Sequence, residues 1–218
     1  MEEREAKRPR LNPAPLLVFA HGAGAPSSSD WMIRWKNLLA TATNAVDVIT
    51  FDYPYLSGGK KGAPPKAEKL VDFHLQQVNK GVEKYPGHPV VLVGKSMGSR
   101  VGCMVAAKAG SHQIAAVICL GYPLKGSKGS LRDQTLLEVP VPTMFVQGTK
   151  DTMCPLDKLH SVVTKMPVKT SLHTIEGGDH SFKVPKKVLD KNSTTQESLE
   201  LHAVNAIQLF LADSLCMQ

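Results

Sequence analysis

The sequence has few cysteines, no long hydrophobic run and little aromatic content. Its four cysteines are widely scattered, and no pair has the C-x-x-C spacing of zinc sites and redox motifs. We therefore expect buried, reduced thiols, no metal site and no disulfide framework. No apolar run approaches the roughly 20 residues that span a bilayer, so no membrane-spanning helix is predicted. The charged start of the chain is not followed by the apolar segment of a signal peptide, which predicts a cytoplasmic protein.

The chain also lacks aromatic residues interleaved with its basic ones, as a nucleic-acid-binding surface would have. Its formal net charge is +7 over 218 residues, but aromatic residues make up only 6%. Basic clusters without aromatic neighbours do not indicate base stacking, so no nucleic-acid partner is expected. Lys7-Arg8-Pro9-Arg10 has two interpretations: a nuclear-localisation signal, or part of a solvated leader whose acidic residues nearly cancel the charge. We expect residues 1–14 to form a flexible leader and residues 15–218 a single domain.

Short apolar runs alternate with helical segments along nearly the whole chain. Strands are predicted at 16–20, 46–51, 90–93, 115–120, 143–146 and 171–175. Helices are predicted at 30–42, 66–84, 97–109, 155–165 and 195–211. Continuous apolar strands separated by helices are typical of a parallel sheet covered on both faces. The sequence therefore predicts an α/β fold with a doubly wound sheet of about six parallel strands.

Gly94-Lys95-Ser96-Met97-Gly98 lies at a predicted strand-to-helix junction. Gly-x-Ser-x-Gly in that position is typical of a nucleophile elbow, a turn so tight that only glycine fits on either side of the serine. The serine hydroxyl is then exposed at a helix amino terminus, where the dipole favours negative charge. Gly94-Lys95-Ser96 also resembles the end of a P-loop, but Pro89 stands where that motif has glycine, and strand residues replace its loop. Ser96 is therefore the candidate nucleophile.

Three further loops at strand ends carry groups that complement a serine nucleophile. The Gly-rich loop that begins at His21 exposes backbone N–H groups, and it predicts an oxyanion hole formed by the N–H groups of Ala23 and Met97. The alternative for this loop is a plain turn that needs glycine for its backbone angles. Asp151 follows the fifth strand, where it could instead cap the next helix. His180 follows the sixth strand, and the alternative is an ordinary surface histidine.

The order of these residues along the chain matches the Ser…Asp…His order of the α/β-hydrolase triad. Ser96, Asp151 and His180 each follow a different predicted strand, so a parallel sheet would bring them to one edge. Asp179 is a competing acid, but it adjoins His180, and neighbouring side chains in a loop usually diverge. The sequence therefore predicts an acyl-enzyme mechanism acting on an ester or thioester, with no metal and no organic cofactor.

Residues next to these loops have interpretations that the sequence leaves open. Lys95 is either a solvated side chain of the elbow or a partner in a salt bridge along the rim. Trp31 and Trp35 lie four residues apart on a predicted helix, which favours a position in the core or the cleft wall. A cofactor-binding oxidoreductase is not favoured, because Ser27 stands where a Gly-x-Gly-x-x-G fingerprint has its third glycine.

The chain resembles α/β-hydrolases from about Leu16 to Leu211. More narrowly, it is similar to the small hydrolase-like family of testis-expressed protein thirty, which includes the hydrolase-like domain of regulatory subunit three of the NSL histone-acetyltransferase complex. The segments that carry this resemblance are 21–25, 94–100, 121–124, 131–133 and 177–181. The Ser-Arg that follows the elbow, and a Tyr-Pro-Leu later followed by Leu-Arg-Asp, are more specific than the pentapeptide alone.

This resemblance implies a triad of Ser96, Asp151 and His180, with Ala23 and Met97 as the oxyanion donors. It implies a serine hydrolase acting on a small-molecule acyl substrate. Because some members of the family are associated with chromatin complexes, the alternative is a catalytically weak or inactive interaction module with a protein partner, in the nucleus as well as the cytoplasm. Neither the substrate nor the choice between monomer and dimer follows from the sequence.

The chain departs from larger hydrolases in two ways that bear on the cleft. Only about fifteen residues precede the first predicted strand, which predicts a minimal sheet with strand order 2-1-3-4-5-6. No insertion is long enough for a cap domain, and the only sizeable one, Tyr122 to Pro142, predicts a small flap with Arg132 near the site. An open cleft of this kind suits small or extended acyl groups rather than deeply buried lipids.

Overall fold

The computed structural model describes residues 11–59, 62–126 and 129–215. The basic segment Lys7-Arg8-Pro9-Arg10, most of the expected leader and Cys216 therefore lie outside the described residues. The strands are β1 Leu16–Ala20, β2 Asp47–Phe51, β3 Val90–Lys95, β4 Ala116–Leu120, β5 Thr143–Gly148 and β6 Thr170–Ile175. The helices are α1 Asp30–Thr43, α2 Val71–Lys84, α3 Met97–Ala109, α4 Gln134–Leu137, α5 Leu156–Val163, α6 Lys186–Lys191 and α7 Gln196–Leu215.

The six strands form one parallel sheet in the order β2-β1-β3-β4-β5-β6. This confirms the predicted fold class and strand order. The chain first winds outward from β1 to β2 and then crosses back to β3, so the topological switch point lies between β1 and β3. Crevices at the carboxyl ends of strands beside a switch point are where open α/β sheets bind ligands.

Each face of the sheet carries its own apolar core because alternate strand residues point to opposite sides. In β1, Leu16 and Val18 face one core and Leu17 and Phe19 face the other, and all four are fully buried. The first core is closed by α2, α3 and α5, and the second by α1 and α7. Burial on both faces explains why the four central strands, β1, β3, β4 and β5, are rich in apolar residues.

The structure differs from the sequence expectations at several helices. The short helices α4 and α6 were not predicted, and α7 continues to Leu215, beyond the expected end at residue 211. The expected helix at 66–84 opens with a 3₁₀ turn at Ala67–Leu70 before α2 begins. On α2, His74 and Val78 are buried, and Phe73 is partly buried against the same core.

His74 is stabilised in the core by its contact with Tyr53. The Tyr53 hydroxyl lies 3.1 Å from His74 Nδ1, and burial lowers the pKa of His74 to about 3, so the ring is neutral. The three cysteines within the described ranges, Cys103, Cys119 and Cys154, are buried free thiols, as expected.

The expected flap is a small excursion after β4. An antiparallel bridge joins Lys125 to Leu131, and α4 follows it. Across the described ranges no cap domain covers the carboxyl edge of the sheet. In the same part of the chain, no helix combines the length and hydropathy that crossing a bilayer requires. No group of three or more His, Cys, Asp or Glu residues there is arranged to hold a metal ion.

Candidate active site

Ser96 lies at the turn between β3 and α3, in a backbone conformation that L-residues rarely adopt. Its φ is 52° and its ψ is −114°. A Cβ atom at Gly94 would lie 2.2 Å from the backbone N of Ser99, and one at Gly98 would lie 2.5 Å from the carbonyl O of Ala20. Both glycines are therefore required by close backbone approach, and the turn has the geometry of a nucleophile elbow.

The structure brings Ser96, His180 and Asp151 together at the carboxyl edge of the sheet. His180 Nε2 lies 2.8 Å from Ser96 Oγ, and His180 Nδ1 lies 2.6 Å from Asp151 Oδ2. Ser96 follows β3, Asp151 follows β5 and His180 follows β6, so each residue comes from a different strand end. With Nδ1 donating to the carboxylate, Nε2 is free to accept the serine proton.

Asp151 is held by donors other than the histidine. The side chain of Gln147 donates to Oδ2 at 2.5 Å, and the backbone N–H of Met153 donates to Oδ1 at 2.8 Å. Burial by itself would raise the pKa of Asp151, but the hydrogen bond and charge of His180, with these two donors, outweigh it and hold the pKa below its usual value. The carboxylate is therefore ionised beside the imidazole.

Asp179, the competing acid, has a different role. Its Oδ1 accepts hydrogen bonds from the backbone N–H groups of Ser181 and Lys183, at 2.8 and 2.9 Å. The carboxylate thus stabilises the loop that carries His180 and is turned toward its backbone. The partner of the imidazole is Asp151.

The two expected oxyanion donors both line the cleft beside Ser96. Among the described contacts, neither the Ala23 N–H nor the Met97 N–H donates to a protein acceptor. The hydroxyl of Tyr55 donates to the Ala23 carbonyl at 3.2 Å and lies 3.4 Å from the Gly22 carbonyl, which fixes the loop from outside. Unused N–H groups next to a nucleophile can bind a developing oxyanion.

His21 shapes the same loop from the buried side. Its Nδ1 lies 2.6 Å from the Gly22 carbonyl, and its Nε2 accepts from the Tyr53 N–H at 3.0 Å. This arrangement fixes a neutral ring with the proton on Nδ1, and burial lowers the pKa of His21 accordingly. Asp52 accepts from the N–H of Ser27 at 2.6 Å, so β2 also supports the loop.

Lys95 is buried, and both interpretations drawn from the sequence are wrong. Only 7% of the residue is exposed, and within the described ranges it forms no salt bridge. Its Nζ donates to the carbonyl of His180 and lies 5.4 Å from the ring centroids of both Trp31 and Phe182. Burial lowers the pKa of Lys95 to about 8. The negative charges of Asp151 and Asp179 raise this pKa, but burial outweighs them. Lys95 thus ties the elbow to the histidine loop.

Trp35 lies in the core beside this loop and Trp31 packs against that core, which is one of the two positions that their spacing predicts. Their rings stack with centroids 5.2 Å apart, Trp35 is fully buried, and Trp31 Nε1 donates to the Ser181 carbonyl at 3.0 Å. Phe182 packs against both rings, at 5.9 and 5.3 Å. Helix α1 therefore anchors the loop that positions His180.

A cleft of about 770 Å³ opens over Ser96. Arg132 lines it, as the sequence predicts for the flap. The cleft is also lined by Arg100, one turn along α3, and by the segment from Lys66 to Lys69. The sequence did not predict either of these. A second cleft, of about 560 Å³, lies at the amino ends of β1, β3 and β4, away from these residues.

A protein-family model matches most of the chain. The model, described as an alpha/beta hydrolase domain, matches residues 13–212. Human monoglyceride lipase is 30% identical over 119 residues, which cover 51% of this chain and 36% of the lipase. The chain thus spans about a third of the length of that curated relative.

Solved structures of hydrolases share the fold. An alpha-beta serine hydrolase homologue from Coxiella burnetii has a TM-score of 0.63 at 18% identity, with coverage of 87% of this chain and 85% of that one. Est1E from Butyrivibrio proteoclasticus, with ferulic acid bound, has a TM-score of 0.68 at 17% identity, with coverage of 93% and 90%. At these identities the likeness concerns the fold alone.

Proposed function

The chain belongs to the alpha/beta hydrolase family, and we propose that it is a serine hydrolase that cleaves carboxylic esters or thioesters of small acyl groups. The observation that carries this proposal is the continuous hydrogen-bonded chain from Ser96 Oγ through His180 to Asp151, at 2.8 and 2.6 Å. Nucleophile, base and orienting acid are each within direct reach of the next, as acyl transfer requires.

In the first step, the Ser96 hydroxyl attacks the substrate carbonyl while His180 Nε2 takes its proton. Asp151 keeps the imidazole in the required tautomer and stabilises the imidazolium that forms. The negative oxygen of the tetrahedral intermediate binds the N–H groups of Ala23 and Met97, each of which lowers the barrier by roughly 3 kcal/mol. The imidazolium then gives its proton to the leaving alcohol or thiol, and Ser96 remains acylated.

In the second step, water hydrolyses the acyl-enzyme. His180 accepts a proton from the water as it attacks the acyl carbonyl, and the same N–H groups bind the oxyanion. Collapse of the second intermediate breaks the bond to Ser96 Oγ, which recovers its proton from His180. The products are the free acid and the enzyme in its starting state, and the scheme uses no metal and no organic cofactor.

The open cleft supports a small or extended acyl group. No cap domain covers Ser96 in the described part of the chain, so a long lipid tail would remain in contact with water. The human relative is a monoglyceride lipase, which makes monoacylglycerols with short chains a first substrate to test.

We place the chain, within the hydrolase family, in the group of testis-expressed protein thirty and the NSL subunit domain. Support comes from the Ser99-Arg100 pair after the elbow and from the Leu131-Arg132-Asp133 segment that the group shares. We also keep the proposal of one domain from residue 15 to residue 218, located in the cytoplasm and, through the basic segment 7–10, in the nucleus. Imaging of a fluorescent fusion with and without Lys7, Arg8 and Arg10 replaced by alanine tests the location.

Labelling with a fluorophosphonate probe tests the enzymatic proposal directly. We expect the wild type to be labelled and the Ser96→Ala variant to be unlabelled. Hydrolysis of 4-nitrophenyl butyrate and of a butyryl thioester should follow the same pattern. Ser99→Ala is a matched control, since Ser99 is buried one turn away and bonds only the Ser96 carbonyl.

The competing function is a non-catalytic interaction module with a hydrolase fold. Absence of labelling and of hydrolysis in a wild-type protein that unfolds cooperatively would reject the enzymatic proposal in favour of this module. Labelling that persists in Ser96→Ala would show that another residue reacts, and would reject the assigned nucleophile.

A further inference from the structure

We propose, on the basis of the proposed serine-hydrolase function, that the substrate carries an anionic group, a carboxylate or a phosphate, that binds Arg100 and Arg132 beside Ser96. Both arginines line the cleft that contains the nucleophile. The anionic group of the substrate would then be bound at a fixed position relative to the scissile carbonyl.

Both arginines are held by rigid parts of the fold. The backbone N–H of Arg100 lies 3.3 Å from the Ser96 carbonyl, so the side chain starts one helical turn from the nucleophile. The Arg132 backbone N–H donates to the Leu124 carbonyl at 2.8 Å, and its carbonyl accepts from the buried Tyr122 hydroxyl at 2.8 Å. A subsite built on fixed backbone loses little conformational entropy on binding.

Arg100 is largely buried without an adequate partner. Its side chain is 16% exposed, and its Nε is buried with no hydrogen-bond acceptor. The nearest carboxylate, that of Glu68, is 3.6 Å from Nη2, beyond hydrogen-bonding distance, and is itself 62% exposed. A buried donor without an acceptor is costly and calls for an explanation, and an incoming oxyanion would supply the missing acceptor.

Arg132 is also poorly compensated. Its Nη1 donates to the Pro123 carbonyl at 3.1 Å, which uses one of the five N–H donors of the guanidinium. Burial, and then the positive charge of Arg100, lower the pKa of Arg132, and the charges of Tyr122 and Glu68 offset this only in part. An anion between the two arginines would relieve the repulsion between their charges and accept from both planar donors.

The rest of the cleft lining adds more positive than negative charge. Lys66 and Lys69 join the two arginines along the wall, and among the described residues that line the cleft Glu68 is the one carboxylate. Four cations against one carboxylate attract anions and raise their local concentration at the mouth of the cleft. A neutral lipid would gain nothing from this arrangement, whereas a charged acyl or leaving group would.

Matched substrate pairs test the proposal and distinguish the sources of the anion. A carboxylate on the acyl group is tested by 4-nitrophenyl hydrogen adipate against 4-nitrophenyl hexanoate. A carboxylate on the leaving group is tested by 3-acetoxybenzoate against phenyl acetate. A phosphate is tested by 1-butyrylglycerol 3-phosphate against 1-butyrylglycerol. Rates are taken after subtraction of the Ser96→Ala background.

We expect the wild type to favour the charged member of at least one pair by about tenfold in kcat/KM. Arg100→Gln and Arg132→Gln should each reduce this ratio toward one, because each removes one charge-assisted partner. Lys84→Gln removes one charge from an exposed position at the far end of α2 and should leave the ratio as in the wild type. Thermal unfolding of each variant shows whether it is folded.

Two outcomes would overturn the proposal. One is preference for the neutral member of all three pairs by an enzyme that hydrolyses them through Ser96, which leaves the proposed function intact. The other outcome concerns the case in which no ester is hydrolysed and the probe does not label the protein, so that the proposed function has failed. Calorimetric titration with inorganic phosphate and with adipate then decides: binding lost in Arg100→Gln and Arg132→Gln supports the subsite, and no binding to the wild type rejects it.

Discussion

Replacing Lys95 by methionine should change how the stability of the protein depends on pH. The ammonium group is buried between Trp31 and Phe182 and bonds the His180 carbonyl, and burial lowers its pKa from 10.5 to about 8. Methionine has a similar length and no charge, so the Lys95→Met variant keeps the packing and removes the titration.

The sign follows from counting bound protons. Between a pKa of about 8 in the folded protein and the ordinary value of 10.5 in the unfolded chain, the unfolded chain binds more protons at Lys95. The free energy of unfolding of the wild type therefore rises with pH through this window. The full shift of about 2.5 units corresponds to about 3 kcal/mol, gained with a slope of at most about 1.4 kcal/mol per pH unit.

Urea unfolding of both proteins between about pH 7 and pH 10 measures this effect. The difference in free energy of unfolding between wild type and Lys95→Met isolates Lys95, because the other titrating groups are common to both. Loss of the donor to the His180 carbonyl costs the variant about 1 kcal/mol at every pH, which moves the difference without changing its slope. We expect the wild type to gain stability relative to the variant above about pH 8.

Parallel pH profiles for wild type and Lys95→Met would refute the reasoning. They would mean that the ammonium group is as well hydrated in the folded protein as in the unfolded chain. Lys80→Met provides the matched control: Lys80 is exposed on α2, so its replacement should give a profile parallel to that of the wild type.

Three other changes test the site. Asp151→Asn should lower kcat by about four orders of magnitude in ester hydrolysis, because the amide favours the wrong imidazole tautomer. Because the folded pKa of Asp151 is lowered, its ionised form stabilises the protein above the ordinary carboxylate pKa. Acid unfolding of the wild type should show that this stability is lost as the pH falls through the folded pKa. The Asp151→Asn variant should show no such loss. Gly98→Ala should destabilise the fold by several kcal/mol in urea unfolding, since the added Cβ meets the Ala20 carbonyl at 2.5 Å. Gly102→Ala on the same helix is the control: the nearest atom to its added Cβ is 3.8 Å away, so it should raise the free energy of unfolding by up to about 1 kcal/mol. Tyr55→Phe should lower kcat in the ester assay by less than about tenfold, because it frees the Ala23 carbonyl while leaving both oxyanion donors in place.

The parts of the fold that the sequence predicted are those set by local pattern. All six strands are confirmed to within about two residues. The four central strands are buried on both faces, which leaves an apolar run such as Leu16–Ala20 in the sequence. The end of α3 at Ala109 is confirmed because Gly110 follows it with a φ of 79°. The proximity of Ser96, Asp151 and His180 follows from strand order alone, since parallel strands end at one edge.

What the sequence did not predict depends on tertiary contacts. Lys95 is buried because Trp31 and Phe182, far away in the chain, surround it, and a lysine after a strand gives no sign of this. The helix Lys186–Lys191 contains four charged residues in six, a composition equally typical of a loop. Arg100 lies on a largely buried helix, and its place in the cleft depends on how α3 packs against the 3₁₀ turn at Ala67–Leu70.

The order of the strands along the chain also decides at which point of synthesis the proposed catalytic site is complete. The proposed base, His180, lies 84 positions after Ser96, and the proposed orienting acid lies between them. A nascent chain that has emerged only as far as the loop after β5 carries Ser96 and Asp151 but not the imidazole of His180. Pairing of distant parallel strands is slow, so on refolding from urea the return of probe labelling should lag behind the return of helical signal. The proposed catalytic site is therefore incomplete until β6 joins the sheet, and reactivity toward the probe should report completed folding.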